Sequence, residues 1–498
     1  MNRKKLVSAI LCVLSVTSLF SGCQAAPDTA VVAGKNDGVF ESALNSSAEP
    51  VEGANTEAFS YTDKFTSTDG KIEFNIDVSD IKYSGNPMPV IQVTPEEITP
   101  ELAKRVAETL YGEDTTFYEY SEVGTKSEIE EKILYYELIS SYDYIYEEEY
   151  KDSNLSPEEI DAEIRITMEV RNDILEEYRE LYETASETEE REECLWTFFP
   201  QSHYLPTQDF SENDDKTMNI RAAFELDGVS INYNVSNRME DDYRVQMIKS
   251  FSHDPDYTME TMMEDISNSG WISQEEPDAE TVENIRMQVE EMIEQMDIGE
   301  WEITYCEAFD YGYYGGYVIS VGAAPVYEGV MVTPQAQLSN LKSEEEYASN
   351  YYYETLGFTM AADGTVIDFS YMGPLEVVEV VNASTAVMPF DELMERVKTQ
   401  MSMDDIGMYQ MFNPGDVPES QVTDRVEVDI TSMEFGLSRT KIRDNPDDFY
   451  LVPSVTLRGD YTLYNSSGDM IETGMEGVEQ TLLVLNLVDG SVIHYDQQ

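Results

Sequence analysis

The chain has 498 residues, which is too long for one ordinary hydrophobic core and indicates roughly two to four domains. It carries 100 acidic and 30 basic residues, a net charge of −70 at pH 7, and such a field repels nucleic acid and anionic lipid head groups. Nucleic-acid binding is therefore excluded. Because 41% of the residues are hydrophobic and 33 are Tyr, the acidity belongs to the surface of a folded protein. It reflects either solubility outside the cell or adaptation to high salt.

Residues 1–22 have the pattern of a secretion signal. A positively charged start is followed by a short apolar run and then by small residues before Cys23. This pattern resembles a bacterial lipoprotein signal peptide, with Phe20 where Leu is commoner. The resemblance implies that Cys23 is diacylated and attaches the protein to membrane lipid on the extracellular face of the cell membrane. The alternatives are a secreted signal cleaved near Ala25 and an uncleaved anchor.

Residues 23–58 are expected to form a flexible tether after the lipidated Cys23. They are rich in Ala, Ser, Gly, Asn and Pro and show neither helical nor strand periodicity. Folded structure is expected from residue 59 onward, beginning with a hairpin around Asp69-Gly70. Beyond the leader, no apolar stretch reaches the length of a membrane span.

Residues 59–300 are predicted to form an α+β domain. Thr99 and Pro100 have the positions of a helix cap and a first turn, and this helix is expected to end near Tyr111. A long helical hairpin is expected near residues 127–190, because capping sequences start at Ser127 and Ser156. Its second helix carries an inner face that indicates either packing or a Tyr-rich ligand groove. That face consists of Ile160, Ile164, Met168, Leu175, Tyr178 and Tyr182.

Two further units are expected, 301–400 and a β-rich 401–498. Nearly the same phrase occurs in both, Asp363-Gly364-Thr365-Val366-Ile367 and Asp489-Gly490-Ser491-Val492-Ile493, and each predicts an Asp-Gly hairpin. Between them, an amphipathic helix with Leu393 and Val397 on its inner side is expected to pack on the sheet of the first hairpin. The predicted fold class is thus α+β and multidomain, with antiparallel sheets, packed helices and an inserted helical hairpin.

From Trp301 to the end, this order of strand, Asp-Gly turn, strand and helix resembles PepSY-like and YycI-like repeats of Gram-positive envelope proteins. The chain as a whole resembles the uncharacterised acidic lipoproteins of clostridia. The resemblance implies binding or modulation of another extracellular protein. The other reading is that two hairpins converged on the same turn chemistry.

No catalytic residue, metal site or cofactor is assigned from the sequence. Ser438 and Lys441 have the spacing of penicillin-recognising enzymes, but the companion motifs are lacking. His203, His253 and His494 belong to no metal or hydrolase motif.

The two cysteines beyond Cys23 and the acidic clusters leave alternatives open. Cys194 and Cys306 either form one disulfide or remain free thiols. Calcium binding is expected to be weak at most, because acidic clusters such as Asp404-Asp405 do not follow the EF-hand pattern.

The sequence leaves two candidate functions open. The first is a non-enzymatic, lipid-anchored protein that binds or regulates another envelope protein through sheet edges or the helical hairpin. The second is a surface hydrolase of peptide or glycan with its site near residues 309–317, where aromatic side chains surround Gly residues.

Overall fold

A computed structural model describes most of the chain beyond the leader. The described residues are 39–51, 57–119, 125–151, 156–187, 192–200, 217–240, 243–251, 270–310, 316–333, 353–404, 422–442, 445–473 and 480–493. Within these ranges, no helix combines the length and apolar composition needed to cross a bilayer. The α+β class with antiparallel sheets and packed helices is confirmed.

Two sheets organise these residues. Sheet A has the strand order β1-β2-β15-β16-β3-β14, with β17 and β18 also paired to β16. Its strands are β1 Phe59–Thr66, β2 Ile72–Ile81, β3 Met88–Pro95, β14 Leu375–Thr385, β15 Thr423–Ile442, β16 Asn445–Asn465, β17 Met470–Thr473 and β18 Gln480–Asn486. The long hairpin of β15 and β16 is its centre, and all pairings except that of β2 with β15 are antiparallel.

Sheet B is antiparallel and has the order β11-β10-β12-β13-β8-β7-β6-β4, with β5 paired to β6 and β9 to β10. Its strands are β4 Tyr118–Glu119, β5 Phe199–Pro200, β6 Thr217–Leu226, β7 Val229–Glu240, β8 Tyr243–Phe251, β9 Glu300–Asp310, β10 Tyr317–Tyr327, β11 Val330–Met331, β12 Thr355–Met360 and β13 Val366–Met372. Along β6, Ile220, Ala222 and Phe224 alternate into the core, as expected for a sheet with one covered face.

The described residues form seven α-helices. They are α1 Val39–Leu44, α2 Pro100–Tyr111, α3 Lys126–Ile139, α4 Tyr142–Ile145, α5 Pro157–Thr184, α6 Ala279–Met296 and α7 Phe390–Met401, with a π-helical turn at Tyr146–Tyr150. The Leu102 amide donates to the Thr99 hydroxyl at 3.1 Å, which is the expected cap of α2. Helices α2 and α6 pack in the core of sheet B, and α7 packs in the core of sheet A.

Sheet B is inserted into sheet A. The chain leaves sheet A after β3 and returns at β14, and these strands pair antiparallel with Pro95 opposite Leu375. The Glu96 amide donates to the Pro374 carbonyl at 2.8 Å, so both connections pass through one place. We call these four residues the neck.

The linear division at residues 300 and 400 therefore needs correction. Strand β14 and helix α7, expected in a 301–400 unit, belong to sheet A, whereas β9 to β13 belong to sheet B. Leu393 and Val397 are buried as expected, but in the core of the sheet that does not contain the Asp363 hairpin. The reason is that β3 and β14 pair across a long insertion, and no local pattern encodes that pairing.

Part of the expected tether is ordered. Helix α1 packs through Phe40 and Leu44 beside β14, which is the edge strand of sheet A. The Asn382 side-chain amide donates to the carbonyls of Ala43 and Ser46, both at 3.0 Å. The prediction of a flexible tether over all of 23–58 is therefore wrong for residues 39–51, because this segment supplies partners for a buried polar side chain on the sheet edge.

The repeated five-residue sequence forms the same turn in two different sheets. Asp363-Gly364 joins β12 to β13, and Asp489-Gly490 follows β18. In each turn the Asp side chain accepts the amide proton two residues on, from Thr365 at 3.0 Å and from Ser491 at 2.9 Å, and the Gly has a positive φ. The same turn chemistry is therefore used in both sheets.

Gly459 provides a test of the central hairpin. A Cβ at this position of β16 would lie 1.9 Å from the Asp429 carbonyl oxygen on β15. We expect Gly459→Ala to lower the free energy of unfolding by roughly 1–3 kcal/mol, because the backbone must shift. Urea denaturation measures this loss. In the control Gly357→Ala, the nearest atom is the rotatable Ser370 hydroxyl at 3.0 Å. An equal loss in both variants would contradict the argument.

Candidate functional site

The predicted lipidation site, Cys23, lies outside the described residues, and Cys194 and Cys306 are free thiols. Cys194 is buried beside Phe117, whose carbonyl accepts its amide proton at 2.8 Å. Cys306 is partly buried on β9, with its Sγ 3.6 Å from the Val282 carbonyl of α6. Burial raises the pKa of both thiols, which disfavours the reactive thiolate.

The other sequence candidates have no catalytic geometry where the structure describes them. His203, His253 and His494 lie outside the described residues. Ser438 is buried, and its hydroxyl lies 2.7 Å from that of Ser454, so it serves the packing of β15 on β16.

The described residues contain no group of three or more metal-ligating side chains, and parts of the acidic clusters lie outside those residues. Asp448, the last residue of a second acidic cluster that begins at Asp444, accepts hydrogen bonds from the side-chain amides of Gln92 and Asn445.

A buried carboxyl group lies at the neck. The Tyr327 hydroxyl donates to Glu354 Oε2 at 2.5 Å, and the Tyr371 hydroxyl and the Leu375 amide lie 3.5 Å from Oε1. Tyr327 and Tyr371 belong to sheet B, whereas Leu375 begins β14 of sheet A. Glu354 therefore connects the two sheets where the chain passes between them.

Burial dominates the electrostatics of this group. It raises the pKa of Glu354 from its usual 4.5 to about 8, and its hydrogen-bond donors offset only part of the effect. Burial and the Glu354 carboxyl together raise the pKa of Tyr327. At neutral pH the Glu354 carboxyl is mostly protonated, which avoids a buried negative charge.

A small cavity adjoins Glu354. It has a volume of about 30 Å³, enough for one or two water molecules. Thr333, Leu375 and Arg439 contribute to its mostly apolar wall. The Arg439 guanidinium stacks on the rings of Tyr353 and Phe449, at 4.2 and 4.6 Å from their centroids. A cavity of this size does not admit a sugar ring or a peptide.

Sequence reasoning missed Glu354, although a signal was present. Leu356, Phe358 and Met360 alternate on the buried side of β12, and Glu354 lies two positions before the first of them. The period of two places its side chain on the same side as these residues. An acid in phase with a buried set is the pattern that indicates a neutral or bonded carboxyl group.

The second candidate feature is the predicted helical hairpin, which extends from the edge of sheet B. Its two ends pair with each other: the Glu119 amide donates to the Glu192 carbonyl at 2.7 Å, and the Lys126 amide donates to the Ser186 carbonyl at 2.9 Å. We call residues 125–187 the helical arm. Helices α3 and α5 pack on each other, and among the described residues neither packs extensively on a strand.

The arm has its own small core. Ile129, Ile139, Ile145, Ile164 and Leu175 are buried in it and lie outside the cores of the two sheets. The rings of Tyr136 and Tyr178 lie 5.4 Å apart across the helix pair. The inner face of α5 is therefore a packing face, and the Tyr-rich groove considered from the sequence is filled by α3.

The first helix of the arm is shorter than expected. The Ser141 hydroxyl accepts the Tyr144 amide proton at 3.3 Å and caps a new short helix, α4. The helix is therefore interrupted between Ile139 and Tyr142, inside the first half of the predicted helical hairpin.

Apolar side chains on the outside of the arm are exposed to solvent. On α3, Leu134 is 60%, Tyr135 49% and Leu138 59% exposed. On α5, Ile166 and Val170 are 57% and 55% exposed. We call the first set the α3 row and the second the α5 row. Clustered exposed apolar side chains are a feature of interaction surfaces.

Known proteins give little further information. No family model matches the sequence, and no curated protein matches it. Among solved structures, the chain is similar to one described as an uncharacterized protein from Eubacterium rectale ATCC 33656. The sequence identity is 11% and the TM-score 0.40, with 91% of this chain and 98% of that chain covered. A likeness at this level carries no argument about function.

The buried Glu354 carboxyl predicts a pH dependence of stability. Between pH 4.5 and about 8 the native state holds a proton that the unfolded state releases, so the contribution of Glu354 to stability falls as the pH rises. We expect Glu354→Gln, which cannot ionise, to become increasingly more stable than the wild type across this interval. Urea denaturation at several pH values measures the difference. The control is Glu97→Gln, at an exposed residue near the neck. A pH-independent difference for Glu354→Gln would contradict the assignment.

Proposed function

We propose that the protein is a lipid-anchored extracellular protein that binds another protein of the cell envelope and is not an enzyme. The observation that carries this proposal is the helical arm, which extends from the edge of sheet B and exposes the α3 and α5 rows. Because the arm has its own core and packs little on the strands, we expect alterations in the arm to have little effect on the stability of the sheets. Exposed apolar rows on such an element favour recognition over folding as their role.

The sequence supports the location and the type of partner. The leader with its Cys23 favours attachment to membrane lipid outside the cell. The net charge of −70 disfavours nucleic acid and anionic surfaces as partners.

The alternative of a surface hydrolase gains no support from the described residues. Such an enzyme needs an open cleft with two convergent carboxyl groups or a Ser beside a His. The carboxyl group of Glu354 is enclosed, and its cavity holds only water-sized molecules. Of the expected hydrolase region, residues 311–315 lie outside the described part of the chain.

Lipid attachment through Cys23 gives a direct test of location. We expect Cys23→Ala to abolish incorporation of labelled palmitate and to prevent lipoprotein processing of the leader. Radiolabelling of cells followed by membrane fractionation measures both effects. Cys194→Ala is the control and should label like the wild type, because its thiol is buried in the core of sheet B. Equal labelling of the wild type and Cys23→Ala would contradict lipidation at this residue.

The arm gives a test of binding. We expect the chain from residue 24 onward to capture a specific envelope protein, and a variant with residues 126–186 replaced by a short Gly-Ser loop to lose that capture. The replacement is feasible because the Lys126 amide and the Ser186 carbonyl already lie at hydrogen-bond distance. Mass spectrometry identifies what is retained, and thermal unfolding checks that the sheets remain folded. Identical capture with and without the arm would rule out the arm as the binding element.

A further inference from the structure

We propose that the α3 row of the helical arm binds a basic amphipathic helix of the partner protein. This inference rests on the proposed binding function and adds the chemistry of the partner. It follows from the position of the apolar side chains, from the charges beside them and from the shape of the surface.

The α3 row faces away from the helix on which α3 packs. Tyr136 contacts Tyr178 of α5, and the Ile139 carbonyl accepts a hydrogen bond from Arg171 of α5 at 2.7 Å. At 100° per residue, Leu134 and Leu138 fall on the opposite side of α3 from these contacts. Their exposures of 60% and 59% agree with that placement. The row is therefore an outer surface and not an incomplete part of the arm core.

The border of the α3 row carries negative charge. Glu130 and Glu131 are exposed and lie one turn before Leu134 and Tyr135 on the same helix. The only basic residues of α3, Lys126 and Lys132, turn toward α5 or its end. The Lys126 ammonium pairs with Glu187 at 2.9 Å, and the Lys132 ammonium lies 5.6 Å from the Tyr178 ring centroid. A partner with apolar residues flanked by Lys or Arg complements this pattern.

The shape of the row favours a helix as the occupant. Leu134 and Leu138 are one turn apart, and Tyr135 lies beside them, so the row forms a ridge along a straight helix. Such ridges pack into the grooves of a second helix at interaxial distances of about 8–10 Å. Exposed Tyr142 and Tyr146 continue the apolar surface on the segment that follows α3.

Charge argues against the two other occupants of such a face. A second copy of the arm would bring its own Glu130 and Glu131 against those of the first, in a protein of net charge −70. An anionic lipid surface would be repelled for the same reason. A basic helix is attracted and steered to the row by the same field.

The test uses the chain from residue 24 to 498, which retains every described residue. The probe is a fluorescent peptide of roughly 18 residues, about five helical turns, with one Leu face flanked by Lys. A second peptide has the same Leu face flanked by Glu. Fluorescence anisotropy at two salt concentrations measures Kd. We expect the Lys peptide to bind, with an affinity that falls as salt rises, and the Glu peptide not to bind. Equal binding of both peptides, or binding of neither, would overturn the proposal.

Matched variants separate the α3 row from the general acidity of the protein. We expect Leu134→Gln combined with Leu138→Gln to weaken binding of the Lys peptide by about tenfold or more, since apolar burial is lost. Ile166→Gln combined with Val170→Gln makes the same change in the equally exposed α5 row and should leave Kd unchanged. Glu130→Gln combined with Glu131→Gln should reduce the salt dependence of binding. An equal loss in the α3 and α5 variants, or no loss in either, would reject the α3 row.

Two further measurements distinguish the other occupants. Sedimentation equilibrium that shows a dimer of the wild type, abolished by the α3 variant, would replace the basic helix by a second copy. Flotation with phosphatidylcholine vesicles, abolished by the same variant, would replace it by a lipid surface. If envelope-protein capture requires the arm but survives the α3 variant, the proposed binding function stands and this inference fails.

Discussion

The pairing of β3 with β14 is the constraint on which the rest of the structure depends. It joins residues 95 and 375, brings the two connections of the inserted sheet together and places Glu96 against Pro374. Strand β3 contributes the buried Ile91 and Val93 to a core, whereas most of β14 is exposed, so the backbone pairing of the two strands sets the position of the insertion. The Glu354 carboxyl, held by Tyr327, Tyr371 and the Leu375 amide, occupies the same place. A buried acid at such a junction loses its hydration and makes contacts with both sheets instead.

The helical arm is stabilised by different contacts from those of the two sheets. Its interior contains few large side chains, and its two helices stabilise each other rather than the sheets. Elements of this kind open locally at lower free energy than a sheet core. The arm can therefore change its surface with little effect on the fold, and the sheets act as a rigid base that holds it. Exposed Leu134 and Leu138 on such an element are more easily explained by a contact outside the chain than by stability.

Local elements could be predicted from the sequence, whereas sheet membership could not. Thr99 and the Asp-Gly turns act through contacts within a few residues, so their effects are visible in a short window. The pairing of β3 with β14 spans most of the chain and has no local signal. Glu354 was missed because the acidic residues as a class were assigned to the surface, although its spacing of two from Leu356 indicates burial. Helix α1 is ordered because it contacts β14, and composition alone does not reveal that contact.

The docking of α1 on β14 has a mechanical consequence for a lipid-anchored protein. If Cys23 carries the lipid, sixteen positions separate it from Val39, where the chain becomes fixed to sheet A. Fully extended, such a segment reaches at most about 55 Å. A short linker would thus connect the lipid to one edge of sheet A, and the two sheets would stay close to the bilayer. The arm extends from the other sheet, so its distance from the membrane would be limited by this segment. A partner that is also attached to the membrane would then be at a high effective concentration.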